Sequence, residues 1–158
     1  TAPSLARADI QARAAEIAAG EGDFALAKRL FTERLEIVRG LGDRRAVAAA
    51  LNGLVRLLGD PELAGPEYDP ATARSLAEES LAAMRELDDL QGVAHSLFRL
   101  GCMAHQAGDE DEAWERWSEC RRLDEAQGIR GGHVLPGLGD IALERGDFDA
   151  ARECYAQF

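Results

Sequence analysis

Cys102 and His105 stand one helical turn apart, and His95 lies two turns before Cys102. On a helix that spacing puts all three on one face. Thiolate and imidazole are donors that zinc accepts in tetrahedral sets of about four. A cysteine beside a histidine is also the pair of a thiol nucleophile. Neither set is complete. The spacing lacks the paired Cys-x-x-Cys signature of a zinc site, and nothing nearby supplies an oxyanion hole. The bland reading is a polar helix face carrying an ordinary, partly buried cysteine. Glu110-Asp111-Glu112 are adjacent on a helix and diverge, so they read as a solvated first turn rather than acid–base machinery. Gly137-Leu138-Gly139 is too short for a phosphate loop and follows no strand. We therefore expect no catalytic residue, no cofactor and no metal ligand set.

Composition narrows the classes further. The chain has 158 residues with 46% hydrophobic content, enough for a packed core. Aromatics are 6% and prolines number 5, with alanine and leucine dominant, which favours helix over sheet. The net charge is -11. That opposes nucleic-acid binding and attraction to an anionic membrane. Lys28 is the only lysine, so the basic surface is almost all arginine. Cys102, Cys120 and Cys154 are an odd, widely spaced set, read as reduced thiols of a cytoplasmic protein rather than a disulfide framework. No apolar run reaches membrane-spanning length, and no signal peptide is visible. The chain opens at Thr1 without methionine, which suggests a piece of a longer protein.

The elements that must position these residues are marked by a recurring Gly-Asp. It occurs at Gly22-Asp23, Gly59-Asp60, Gly108-Asp109 and Gly146-Asp147, in steps of 37, 49 and 38 residues. A repeat of that size means stacked supersecondary units. Glycine tolerates the left-handed conformation that ends one helix, and aspartate caps the next. The periodicity predicts eight helices in four pairs. Their A and B members span roughly 5–20 and 24–40, 44–58 and 70–87, 90–107 and 110–127, and 133–145 and 148–157. The second helices of pairs one and two align at an offset of 46, with Ala25/Ala71, Ala27/Ala73, Leu30/Leu76, Leu35/Leu81 and Leu41/Leu87 identical. Two places break the rhythm. Residues 60–70, with Pro61, Pro66 and Pro70, read as an exposed inserted loop, and Pro70 suits the first turn of the following helix. Gly131-Gly132 and Pro136 interrupt the seventh helix, which is expected to start late, near Leu135.

This pattern resembles the tetratricopeptide repeat, and the resemblance covers essentially the whole chain. The third pair matches best: Leu97, Leu100 and Gly101 in its first helix, Gly108-Asp109 at the turn, and Ala113 and Trp117 in its second. Counterparts in the fourth pair are Leu138, Gly139, Ala142, Ala151 and Tyr155. The period exceeds the usual ~34 residues, and no proline closes the second helices. The long second helices, and the phrase Glu78-Glu79-Ser80-Leu81-Ala82-Ala83-Met84-Arg85, are similar to repeats that follow the ATPase core of bacterial STAND-type signalling ATPases and related transcriptional regulators. The resemblance implies an all-α fold, an α–α superhelix or solenoid of about four helix pairs, forming a single domain over 1–158. It also implies a non-catalytic, cytoplasmic, partner-sensing scaffold.

It further implies a groove lined by the A helices. Carried over position by position, the groove takes Asp9, Ala12 and Glu16 from the first helix, and Gly53, Arg56 and Leu57 from the third. It takes His95, Phe98, Cys102, His105 and Gln106 from the fifth, and His133, Pro136, Asp140, Leu143 and Glu144 from the seventh. Arg56, His95, Phe98, Cys102, His105, Gln106, His133 and Asp140 are the candidate partner-binding residues. Phe98 could anchor an apolar side chain or pack on its own second helix. Relatives that grip acidic peptide ends use lysine, arginine and asparagine, where this chain has Ala12, Glu16 and Gly53. A protein or peptide partner of basic or apolar character fits better than an acidic one. The alternatives are a small-ligand or peptide sensor, and a metal- or thiol-dependent enzyme around Cys102 and His105. Apolar residues near Tyr155 and Phe158 suggest self-association through the C-terminal end.

Overall fold

The computed structural model describes residues 4–129 and 132–157, the side chain of Leu63 excepted. Among these the chain is helical, with no strand: α1 Leu5–Gly20, α2 Phe24–Leu41, α3 Arg44–Leu58, α4 Pro61–Ala64, α5 Pro70–Glu86, α6 Leu90–Gln106, α7 Glu110–Ala126, α8 Leu135–Glu144 and α9 Phe148–Gln157. It divides into two compact units, Thr1–Asp88 and Asp89–Phe158.

Aspartate starts most of these helices. The Oδ1 atoms of Asp23, Asp43, Asp69, Asp89, Asp109 and Asp147 each accept a hydrogen bond at 3.0 Å from the backbone N–H three residues on. Each bond satisfies one of the N–H groups that a helix start leaves without a partner. The preceding glycines Gly22, Gly108 and Gly146 have φ of 81°, 78° and 74°, the left-handed step expected of them. Gly59 departs from that expectation. Its φ is -91°, because the chain does not turn there but runs on into α4.

In the first unit, small residues let helices approach and large ones fill the space between. Ala15, Ala27, Ala73 and Ala77 are buried, as are Phe31, Leu51, Val55, Leu58 and Leu81. Gly53 faces Phe31 so closely that a Cβ would lie 2.8 Å from the ring. Ser80 Oγ donates to Asn52 Oδ1 at 2.9 Å between these helices.

The 60–70 segment is not the open loop expected from its prolines. It forms α4 and a 3₁₀ turn at Gly65–Glu67. Ala64 is fully buried. Gly65 (φ 50°) sits against Phe24, and Lys28 pairs with Glu67 at 2.9 Å. Asp69 N–H then donates to Leu58 O at 3.1 Å, returning the chain to α5. Proline fits here because it occupies helix starts, where its missing N–H costs nothing.

In the second unit, Val93, Leu97, Leu100 and Met103 of α6, Trp117 and Cys120 of α7, and Leu135, Leu138 and Ile141 of α8 are buried. The indole of Trp117 lies between two glycines, Gly101 on α6 and Gly137 on α8. α8 begins at Leu135, the late start that Pro136 demands, with the proline in its first turn.

Candidate functional site

The apolar period of α6 decides which of its residues are left over. Val93, Leu97, Leu100 and Ala104 point inward, so His95, Phe98, Cys102 and His105 form the opposite stripe, with Gln106 beside it. His95, His105 and Gln106 are exposed, and Phe98 and Cys102 are half-buried.

Two residues predicted from different helices meet here. The rings of Phe98 and His133 pack edge-on, with centroids 4.8 Å apart at 74°. That geometry matches the quadrupole preference of aromatic pairs. Trp117 Nε1 donates to the Phe98 carbonyl at 3.2 Å, and the Arg99 guanidinium lies 5.8 Å from the Phe98 ring. His95 belongs to the same neighbourhood. Loss of water around its ring, then the charges of Arg99 and His133, hold its pKa below the ordinary histidine value.

The remaining candidates are engaged elsewhere. His105 sits ten residues past His95, about 15 Å along the helix. Its Nδ1 lies 3.0 Å from Glu110 Oε1, and its ring is 5.5 Å from that of Trp117. Asp140 accepts a hydrogen bond from Tyr155 OH, which pushes the phenol up to about 12. Arg56, in the first unit, pairs with Glu16 at 3.8 Å, so α1 and α3 share a face there. Leu57 is 3% exposed and belongs to the core, not to an open face.

Sequence reasoning missed one constellation. Cys120 and Asp124 face the same way on α7, and His133 comes up to them from the segment before α8. Cys120 Sγ is 3.7 Å from His133 Nε2 and 4.0 Å from Asp124 Oδ2, and His133 Nε2 is 3.8 Å from Asp124 Oδ2. Burial first, then the charges of Asp124, Cys102 and Glu119, push the Cys120 thiol up to about 12. Alone it is no nucleophile at neutral pH. The signal was a four-residue Cys–Asp spacing on a helix followed by a histidine just past its end.

A concavity of about 520 Å³ is lined by Arg121, Glu125, Ile129, Leu135 and Gln157 among others. Its lining includes none of the eight candidate residues. Its size falls in the range of small-molecule pockets, but the convergent polar chemistry lies with Phe98, His133 and the Cys120 group, and the geometry there carries more weight.

These helix pairs, with small residues at their crossings and an aromatic between them, define an all-α helical-repeat fold. The fold is shared with a signal transduction ATPase with numerous domains (STAND) protein with a tetratricopeptide repeat sensor from Pyrococcus horikoshii. The match has 16% identity and a TM-score of 0.78 over 93% of this chain and 22% of that one. BtubC (BKLC) from P. vanneervenii is also similar, with 20% identity and a TM-score of 0.77 over 93% of this chain and 59% of that one. The chain thus spans about a fifth and three fifths of those two proteins. No family model and no curated protein sequence matches it. Among the described residues, no helix is long and apolar enough to cross a membrane.

Proposed function

We propose that this chain is a non-catalytic binding scaffold, the partner-sensing repeat region of a bacterial signalling regulator, working as one domain in the cytoplasm. The observation that carries the reading is the Phe98–His133 contact with His95 beside it. The core of the second unit closes without these three side chains, yet they form an aromatic, half-exposed strip with a titratable rim. Aromatic anchors of this kind concentrate binding energy. An overall charge of -11 favours a basic or apolar partner. Within the second unit His105, Gln106 and Asp140 would contribute from the edges of the strip, and Arg56, held by Glu16, is a separate candidate on the first unit. Burial that pushes the Cys120 thiol up to about 12 supports a role without thiol catalysis.

Affinity capture with the wild-type chain and with Ala substitutions at His95, Phe98 and Arg56 tests this reading. Partners lost on substitution support it. Partners that all remain bound place the contact elsewhere. Self-association through the C-terminal end is a further part of the proposal. Phe148 and Tyr155 are 70% and 41% exposed there, while Phe158 lies outside the described residues. Light scattering that finds only monomer at high concentration contradicts it.

A further inference from the structure

We propose that Cys120, Asp124 and His133 form a zinc-binding site. Their three donor atoms make a nearly equilateral triangle with sides of 3.7, 3.8 and 4.0 Å. A point equidistant from all three lies about 2.2 Å from each, inside the range of Zn–S, Zn–N and Zn–O bonds. Ideal tetrahedral bonds would bring the donors to about 3.4–3.6 Å apart, a contraction of only a few tenths of an ångström. The set of one thiolate, one imidazole and one carboxylate suits borderline-soft Zn²⁺ over the hard cations, which take oxygen alone.

Burial adds a second, independent observation. Asp124 is 4% exposed, and among the described residues it is the only carboxylate in the core. Buried carboxylates are ordinarily paired with a cation or a metal. Cys120 Sγ and His133 Nε2, both metal donors, lie within 4.0 Å of its Oδ2. Cys120 and Asp124 wall the site from inside, while His133, with 46% of its side chain exposed, leaves an outer approach. The fourth position would take water or a donor from a partner.

The site would do structural and regulatory work. Bound zinc would displace the Cys120 proton and tie α7 to the segment that enters α8. It would also fix the ring of His133, whose other contact is the edge-on Phe98 ring. Metal occupancy would thereby set one wall of the aromatic strip. The site stands on its own donors and does not depend on the binding role of that strip.

Cobalt titration of the reduced full chain tests the proposal, because only a thiolate ligand gives an intense near-ultraviolet charge-transfer band. The expected result is a band that saturates at one cobalt per chain and is bleached by equimolar zinc. Cys120→Ser should abolish it, Cys102→Ser should leave it, and Asp124→Asn should weaken apparent affinity tenfold or more. His133 is exposed, so His133→Ala keeps the fold, verified by circular dichroism, and should weaken affinity by a similar factor. No charge-transfer band at stoichiometric cobalt overturns the proposal. So does a band that persists unchanged in His133→Ala or vanishes in Cys102→Ser.

Discussion

The indole of Trp117 lies directly on Gly101: a Cβ at residue 101 would stand 2.4 Å from its Cδ1 and Nε1 atoms. Gly137 closes the other side, where a Cβ would come within 2.3 Å of Cζ3. Trp117 is 5% exposed and anchored by its hydrogen bond to Phe98 O, so the ring cannot swing away. Gly101→Ala and Gly137→Ala should therefore destabilise. The helix-propensity gain of up to about 1 kcal/mol is outweighed by overpacking of about 1–3 kcal/mol, with the larger end expected at so short an approach. Gly40 in α2 meets nothing within 4 Å, so Gly40→Ala should stabilise by about 0.5–1 kcal/mol. Urea denaturation of the three variants checks both signs.

The Asp69 cap makes stability fall in acid. At Asp69, the backbone N–H of Thr72 is the first cause that holds the pKa below 3.8. A carboxylate depressed in the fold takes up a proton on unfolding, so its contribution is complete above about pH 4 and is lost as pH drops through the lowered value. Asp69→Asn should flatten the acid limb of the stability curve. At Asp89, partly buried, Asp89→Ala should cost about 1 kcal/mol at neutral pH. Thermal melts from pH 2.5 to 7 check both.

His95 acts in a second pH window. Its pKa lies below the ordinary 6.5, first because water is excluded from part of its ring. The unfolded chain protonates before the folded one, so stability is full above about pH 7 and declines as pH falls through 6.5 toward the lowered folded value. His95→Gln should remove that slope. Ring-proton titration by NMR should give a midpoint below that of a histidine in the unfolded chain.

Tyr155 reports on Asp140. The hydrogen bond from its hydroxyl to that carboxylate pushes the phenol up to about 12, with smaller help from desolvation. Ultraviolet titration should show one tyrosine ionising near that value, and Asp140→Asn should return it toward 10. Stability linked to this bond is present below about pH 10 and is lost as pH rises through the folded value.

Much of the fold was legible because helix punctuation is local chemistry. Gly-Asp at 22–23, 108–109 and 146–147 encodes a left-handed step and a cap in two adjacent residues. Pro136 likewise announced the start at Leu135. Gly59 carried the same dipeptide without the left-handed step, because the following segment kept a helical path that only tertiary packing on Phe24 and Lys28 sustains. The junction between the helices expected at 70–87 and 90–107 makes its left-handed step at Asp88, with φ 51° and no glycine. Spacing on α6 identified the stripe from His95 to His105. No local pattern could bring His133 to Phe98 or to Cys120, since that depends on how the chain between α7 and α8 turns back.

The central claim is that the strip at Phe98, His95 and His133 receives a peptide or protein segment of basic or apolar character. A displayed random-peptide selection against the full chain, followed by calorimetric titration of the enriched peptides, tests it most directly. The account predicts enrichment of aromatic, basic sequences whose binding weakens at least tenfold in Phe98→Ala and His95→Ala chains that melt like the wild type. Enrichment of acidic peptides, or binding that both substitutions leave unchanged, would contradict it.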